Sequence, residues 1–101
     1  MRILLFFDLP TLTSAQRKAY RHFVKDIVRL GYYRVQESVF YKMAVKLTSA
    51  NASFTAFSKI KPSEGNVFAL IVTEKQFSSM RIFVGENKAD VITSFDRIVE
   101  L

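Results

Sequence analysis

The chain has no cysteine and no tryptophan, a single histidine, two prolines and three glycines among its 101 residues. Without cysteine there is no disulfide, no thiolate zinc site and no sulfur nucleophile, a composition that suits a reducing compartment. The glycines form no phosphate-cradling loop, and neither HExxH nor an EF-hand pattern is present. His22, the only histidine, has no partner that argues for a hydrolytic triad with Ser14 or Ser38, and it receives no role. Long apolar runs are also missing. The opening stretch Met1-Arg2-Ile3-Leu4-Leu5-Phe6-Phe7 stops at Asp8 and Pro10 without a small-residue cleavage site, too short for a signal core or a membrane span. The expectation is a cytoplasmic protein with no membrane partner.

What the chain does have is phenylalanine and positive charge. Half of its residues are hydrophobic, ten of them Phe, more large apolar side chains than a lone core of this size needs. The surplus suggests a two-fold homodimer. The net charge of +6 is unevenly spread. Residues 1–61 carry eleven Lys or Arg against Asp8, Asp26 and Glu37, whereas residues 62–101 carry four against six acids. Concentrated positive charge favours a polyanion, because each neutralised phosphate releases condensed counterions. An ordinary basic protein without such a ligand is the alternative.

The apolar run ending at Asp8 suits a central strand buried on both faces. Thr13 and Gln16 form a capping box, and Tyr20, Phe23, Val24, Ile27 and Leu30 then recur at helical spacing up to Gly31, so a helix is predicted over residues 14–30. Residues 32–45 are rich in Tyr, Val and Phe but too long for one strand. Strict alternation would put Glu37 on the face of Val35 and Val39, so a break at Gln36-Glu37-Ser38 is expected, giving two strands. Thr48 or Ser49 is expected to cap a second helix carrying Ala50, Phe54 and Phe57, closed by Pro62. Gly65-Asn66 marks a turn, 67–72 a buried strand, 74–79 a short helical turn and 80–84 a further strand. A terminal strand is expected within 90–101.

This order, βαββαβ with extra C-terminal strand material, predicts one α+β domain over residues 1–101. It is a ferredoxin-like sandwich with two helices on one face of an antiparallel sheet. Residues 86–101 are read as a C-terminal extension available for pairing with a partner protomer. The fold hosts many functions and decides none.

Two features carry chemistry. Asp8 follows a rigid strand yet escapes the core, a position suited to a hard cation such as Mg²⁺. One Asp is a poor metal site, whereas two Asp8 residues meeting across a dimer axis make a better one, their repulsion relieved by the ion. The alternative is a strand-ending Asp that caps a turn. The first helix carries Arg17, Lys18, Arg21, Lys25 and Arg29 against Asp26 alone, with Arg17, Arg21, Lys25 and Arg29 at i+4 intervals. Such a stripe suits successive phosphates, and Arg34, Lys42 and Lys46 could extend it. The alternative is a solvated helix face, which ordinarily mixes signs. The aromatics fit a core better than stacking platforms, with Tyr32, Tyr33 and Tyr41 as the candidate exceptions.

Taken together, three segments resemble one family: Met1 to Pro10, the basic helix from Gln16 to Gly31, and Arg34-Val35-Gln36-Glu37-Ser38-Val39-Phe40. A strand ending in Asp, a basic helix and a Val-Gln-x-Ser-Val-Phe strand look like the small CRISPR adaptation protein that partners the integrase in spacer acquisition. Phe7-Asp8-Leu9-Pro10 and Gln36-Glu37-Ser38 are nearest its type II branch. The resemblance implies a homodimer in which Asp8 is the metal-linked, catalytic aspartate, using Mg²⁺ or Mn²⁺. It places Arg17, Lys18 and Arg21 among the family's basic residues, and Ser38 and Phe40 at its Ser and Phe. It also implies metal-dependent endonuclease activity on single-stranded RNA or duplex DNA, and a mainly structural role bridging integrase dimers on the DNA. With one carboxylate per chain, any cleavage is expected to be slow. A ferredoxin-like regulatory domain binding a small metabolite is the competing reading, and it would need a polar, glycine-bearing pocket loop.

Overall fold

Alternation along the first strand organises everything else. In the computed structural model, which describes residues 1–85, β1 (Arg2–Asp8) lies inside an antiparallel four-stranded sheet. It pairs with β3 (Val39–Met43) on one side and β4 (Asn66–Val72) on the other, while β2 (Tyr33–Gln36) pairs with β3. The order β2-β3-β1-β4 is ferredoxin-like, with α1 (Ser14–Arg29) and α2 (Leu47–Phe57) as the two crossover helices. Successive strand residues point to opposite faces. Ile3, Leu5 and Phe7 therefore enter the core beneath the helices, with Phe23 and Ile27 of α1, Ala50 of α2 and Phe40 of β3.

Phenylalanine is the mortar of this core. Phe7 meets Phe23 edge-on at 5.0 Å and stacks on Phe40 at 5.8 Å, and Phe23 meets Phe57 edge-on at 5.7 Å, so one chain of rings ties both helices to the sheet. Such pairs add about 0.5–1.5 kcal/mol each beyond their buried area.

The helix ends follow local chemistry. Gln16 N–H donates to Thr13 Oγ1 at 3.1 Å, and Thr13 N–H donates to Gln16 Oε1 at 3.0 Å, closing the expected capping box. Gly31 stops α1 at φ +99°, and Tyr32 N–H donates back to the Ile27 carbonyl at 3.0 Å. The break after Gln36 is present as the turn at Glu37-Ser38 between β2 and β3, and the register also shifts between Arg34 and Gln36. Glu37 is not buried there. Its side chain and backbone carbonyl both accept from the Tyr20 hydroxyl, at 3.2 and 3.1 Å, pinning the β2–β3 turn to α1.

Several expectations are corrected. β1 is central, but Phe6 and Asp8 on its outer face are exposed, so it is not buried on both faces. Among the described residues β4 is an edge strand, whose Phe68, Ala69 and Leu70 are exposed rather than buried. The second helix ends at Phe57, before Pro62 is reached. The second helix starts at Leu47 after Lys46 and has no side-chain cap, so Thr48 and Ser49 lie in its first turn. The Ser53 hydroxyl is used inside the helix, donating to the Ser49 carbonyl. Residues 80–84 are not a strand. They follow a short helix, α3 (Glu74–Ser78), whose Phe77 is buried against Tyr41 on the sheet face away from α1 and α2. Met80 and Ile82 pack on that same cluster, so their alternation is satisfied by lying across the face rather than by hydrogen bonding in a ladder. The expected terminal strand and C-terminal extension lie outside the described residues.

Candidate metal and nucleic-acid sites

Asp8 shares a sheet face with Arg2, Leu4 and Phe6, the face opposite α1 and α2. This face is divided. Toward β2 it is closed by α3, anchored through Arg2, whose Nε donates to both Glu74 carboxylate oxygens at 3.1 Å and whose guanidinium lies 4.0 Å from the Phe77 ring centre. Toward β4 it is open among the described residues. Phe6 and Phe68 meet edge-on at 5.8 Å there, and Phe68 and Leu70 remain 59% and 53% exposed. Asp8 stands at the end of this apolar strip, directly opposite Asn66 across the β1–β4 ladder. The two join Phe6, Ser38, Val39 and Phe68 around one shallow depression. Ser38 is brought in because its carbonyl accepts from Phe7 N–H at 3.1 Å.

The Asp8 carboxylate is exposed, and among the described residues it is held by no ion pair and no side-chain hydrogen bond. A turn-capping Asp would accept such a bond. Oxygen donors of this type suit Mg²⁺ or Mn²⁺, yet no group of three His, Cys, Asp or Glu side chains converges among the described residues. Among the described residues, Asp8 is the one acidic side chain at this depression.

The cations of α1 do not act as one stripe. Lys18, Arg21 and Lys25, joined by His22, surround a single open surface depression. Arg17 is turned away, and its Nη1 donates to the backbone carbonyls of Thr11 and Leu12 at 3.2 and 2.9 Å. Arg29 pairs with Asp26 at 3.3 Å. Arg34 lies on β2 with its guanidinium 5.2 Å from the Phe40 ring centre. Tyr32 is core, whereas Tyr33 stays exposed beside the buried Tyr41. The residues that composition alone did not single out are Gly65 and Asn66. Both read as an ordinary turn, and only the register of β1 against β4 brings them to Asp8.

The description of the family of CRISPR associated protein Cas2 matches residues 1–80. The chain belongs to that family. It is 39% identical over 101 residues to the CRISPR-associated endoribonuclease Cas2 of Treponema denticola, covering all of both chains. It is 37% identical over 101 residues to that of Ligilactobacillus salivarius, again over the full length of each. The crystal structure of Streptococcus pyogenes Cas2 superposes with a TM-score of 0.62 at 25% identity, covering 84% of this chain and all of that one. The matched residues of the Cas2 description include Asp8, the basic depression on α1 and the strip around Phe68. No helix among the described residues is long and apolar enough to cross a membrane.

Proposed function

We propose that this Cas2 family member acts in CRISPR adaptation as a homodimer that holds duplex DNA for the integrase and has slow, metal-dependent endonuclease activity. The observation that carries the reading is the placement of Asp8 at the end of an open apolar sheet face. Exposed apolar strips of this kind mark association surfaces. A two-fold partner laid on Phe6, Phe68 and Leu70 brings the same face of a second copy, and with it a second Asp8. The two carboxylates balance the charge of one divalent cation. When bound, Mg²⁺ or Mn²⁺ supplies polarisation of a phosphoryl oxygen and a more acidic water. The chain's own part is to hold the carboxylates on a rigid strand. With one acid per chain, turnover is expected to be slow.

Duplex binding is assigned to Lys18, Arg21 and Lys25, and it should be indifferent to sequence and steeply salt-dependent. Arg21→Glu combined with Lys25→Glu is expected to abolish binding to a short duplex in fluorescence anisotropy, with an unchanged circular dichroism spectrum. Binding at wild-type affinity would remove this surface. Asp8→Asn is expected to end cleavage of single-stranded RNA and duplex DNA by a rigorously purified sample, and equal cleavage rates would remove the nuclease reading. Co-purification with the integrase tests the adaptor role.

A further inference from the structure

The depression at the end of the open face holds, beside Ser38, two polar side chains that no other described residue uses. Asp8 and Asn66 sit directly opposite one another in the ladder. Residues so placed have Cβ atoms about 4.5–5.5 Å apart and point to the same face. Among the described residues, neither side chain makes a hydrogen bond or an ion pair. Their relative position is also tightly fixed. Gly65, immediately before Asn66, has φ +88°, and a Cβ there would lie 2.6 Å from the Asp8 carbonyl oxygen and 3.0 Å from Leu9 Cα. The turn is thus packed backbone to backbone against the strand end that carries Asp8, which pre-organises the pair.

We infer that Asn66 is a ligand of the divalent cation, its side-chain oxygen joining the Asp8 carboxylate, so that two protomers supply four protein oxygens to one intersubunit site. This rests on the metal-linked dimer proposed above and goes beyond it by assigning a second residue. Two Asp8 carboxylates already match the charge of the ion. Further protein ligands are therefore better neutral, and a carboxamide oxygen is an accepted ligand of hard cations. The surroundings press the same way. Phe6, Val39 and Phe68 line the depression, so a partner covering this face takes both polar groups out of water. An unsatisfied buried amide oxygen or carboxylate is costly, and a shared cation satisfies the Asp8 carboxylate and the Asn66 amide oxygen together.

The test uses the full-length dimer and Mn²⁺ alone, with free Mn²⁺ followed by electron paramagnetic resonance and the dimer by sedimentation. Wild type is expected to bind Mn²⁺ and Asp8→Asn to lose it. Asn66→Ala should weaken binding by at least about tenfold, the scale seen when groups supporting a metal are removed. Asn66→Asp, which returns an oxygen to the same position but adds surplus negative charge, should bind more tightly than Asn66→Ala while remaining dimeric. A merely structural asparagine would show no such split between Ala and Asp. If Asp8→Asn loses Mn²⁺ but Asn66→Ala binds like wild type, or Asn66→Asp binds no better than Asn66→Ala, the assignment of Asn66 is overturned while the role of Asp8 stands. If Asp8→Asn retains full binding, the metal reading beneath it is overturned too.

Discussion

Replacing Phe68 with Ser separates the energetics of association from those of folding. Phe68 is 59% exposed in the single chain. A Phe side chain has about 200 Å² to bury, so a partner that covers it completely removes roughly 120 Å² from water. At about 25 cal/mol per Å² this is ~3 kcal/mol per copy and ~6 kcal/mol for the symmetric pair. That corresponds to roughly four orders of magnitude in dimer dissociation constant. Folding loses less than association. The two-fifths of the ring already covered within the chain is roughly 80 Å², or ~2 kcal/mol, and the edge-on contact with Phe6 adds about 0.5–1.5 kcal/mol. Sedimentation equilibrium across a concentration series should therefore show Phe68→Ser as a folded monomer, with a lowered denaturation midpoint, where wild type is dimeric. Ala69→Ser is the matched control, because Ala69 pairs with Leu5 and lies on the other sheet face. Dimerisation of Phe68→Ser at wild-type strength would refute the argument, as would a wild type that stays monomeric at every accessible concentration.

Tyr32 offers a stability test with a pH signature. Its hydroxyl is buried without a partner among the described residues, and burial raises the phenol above its ordinary value. Tyr32→Phe should stabilise the fold by about 1 kcal/mol in urea denaturation by removing an unsatisfied group. Because the folded value is the raised one, its contribution is intact below the unfolded value near 10 and is lost as pH climbs from there through the folded value. Tyr32→Phe should accordingly remove part of the alkaline loss of stability. Glu74→Ala deprives the buried Arg2 of its carboxylate and should cost about 1–2 kcal/mol, less than for a fully buried pair because Glu74 is half exposed. The same denaturation assay checks it. Arg17→Ala should lower stability by about 1 kcal/mol by freeing the Thr11 and Leu12 carbonyls. It should leave the salt slope of duplex binding unchanged, whereas Lys25→Ala should reduce that slope by about 0.9.

Local chemistry made the skeleton legible. The Thr13–Gln16 box, the Gly31 stop and the conflict at Glu37 each follow from near neighbours in sequence, and each is present in the fold. The second helix start was not legible, because Leu47 to Phe57 is rich in small and hydroxylated residues and several positions could cap it. Residues 80–84 mislead for a different reason. Their alternation records one buried face, and a strand in a ladder and a segment lying across a sheet share that pattern. The basic stripe was legible as charge but not as geometry. Arg17 is taken up by the carbonyls of the turn before α1, which charge spacing does not show, whereas the pairing of Arg29 with Asp26 one turn earlier on the same helix is local. Asp8 could be singled out because a charge ends an apolar strand, whereas Asn66 gains meaning only through the β1–β4 register.

The sheet itself separates the two proposed activities. Asp8 points to the face away from α1, together with Phe6, whereas Lys18, Arg21 and Lys25 sit on a helix packed over the opposite face through Phe23 and Ile27. A duplex lying along the α1 cations is therefore held on one side of a four-stranded sheet, and the carboxylates lie on the other. Binding through this surface does not deliver a phosphodiester to Asp8. Asp8→Asn should leave the duplex dissociation constant and its salt slope within about twofold of wild type, while Arg21→Glu with Lys25→Glu should abolish duplex binding and leave Mn²⁺ binding intact. Both are read on the same preparations by anisotropy and paramagnetic resonance. If instead the charge reversals and Asp8→Asn each impair both properties while dimerisation is preserved, the phosphate path must wrap around the sheet edge to reach the acid, and the two surfaces would have to be treated as one site.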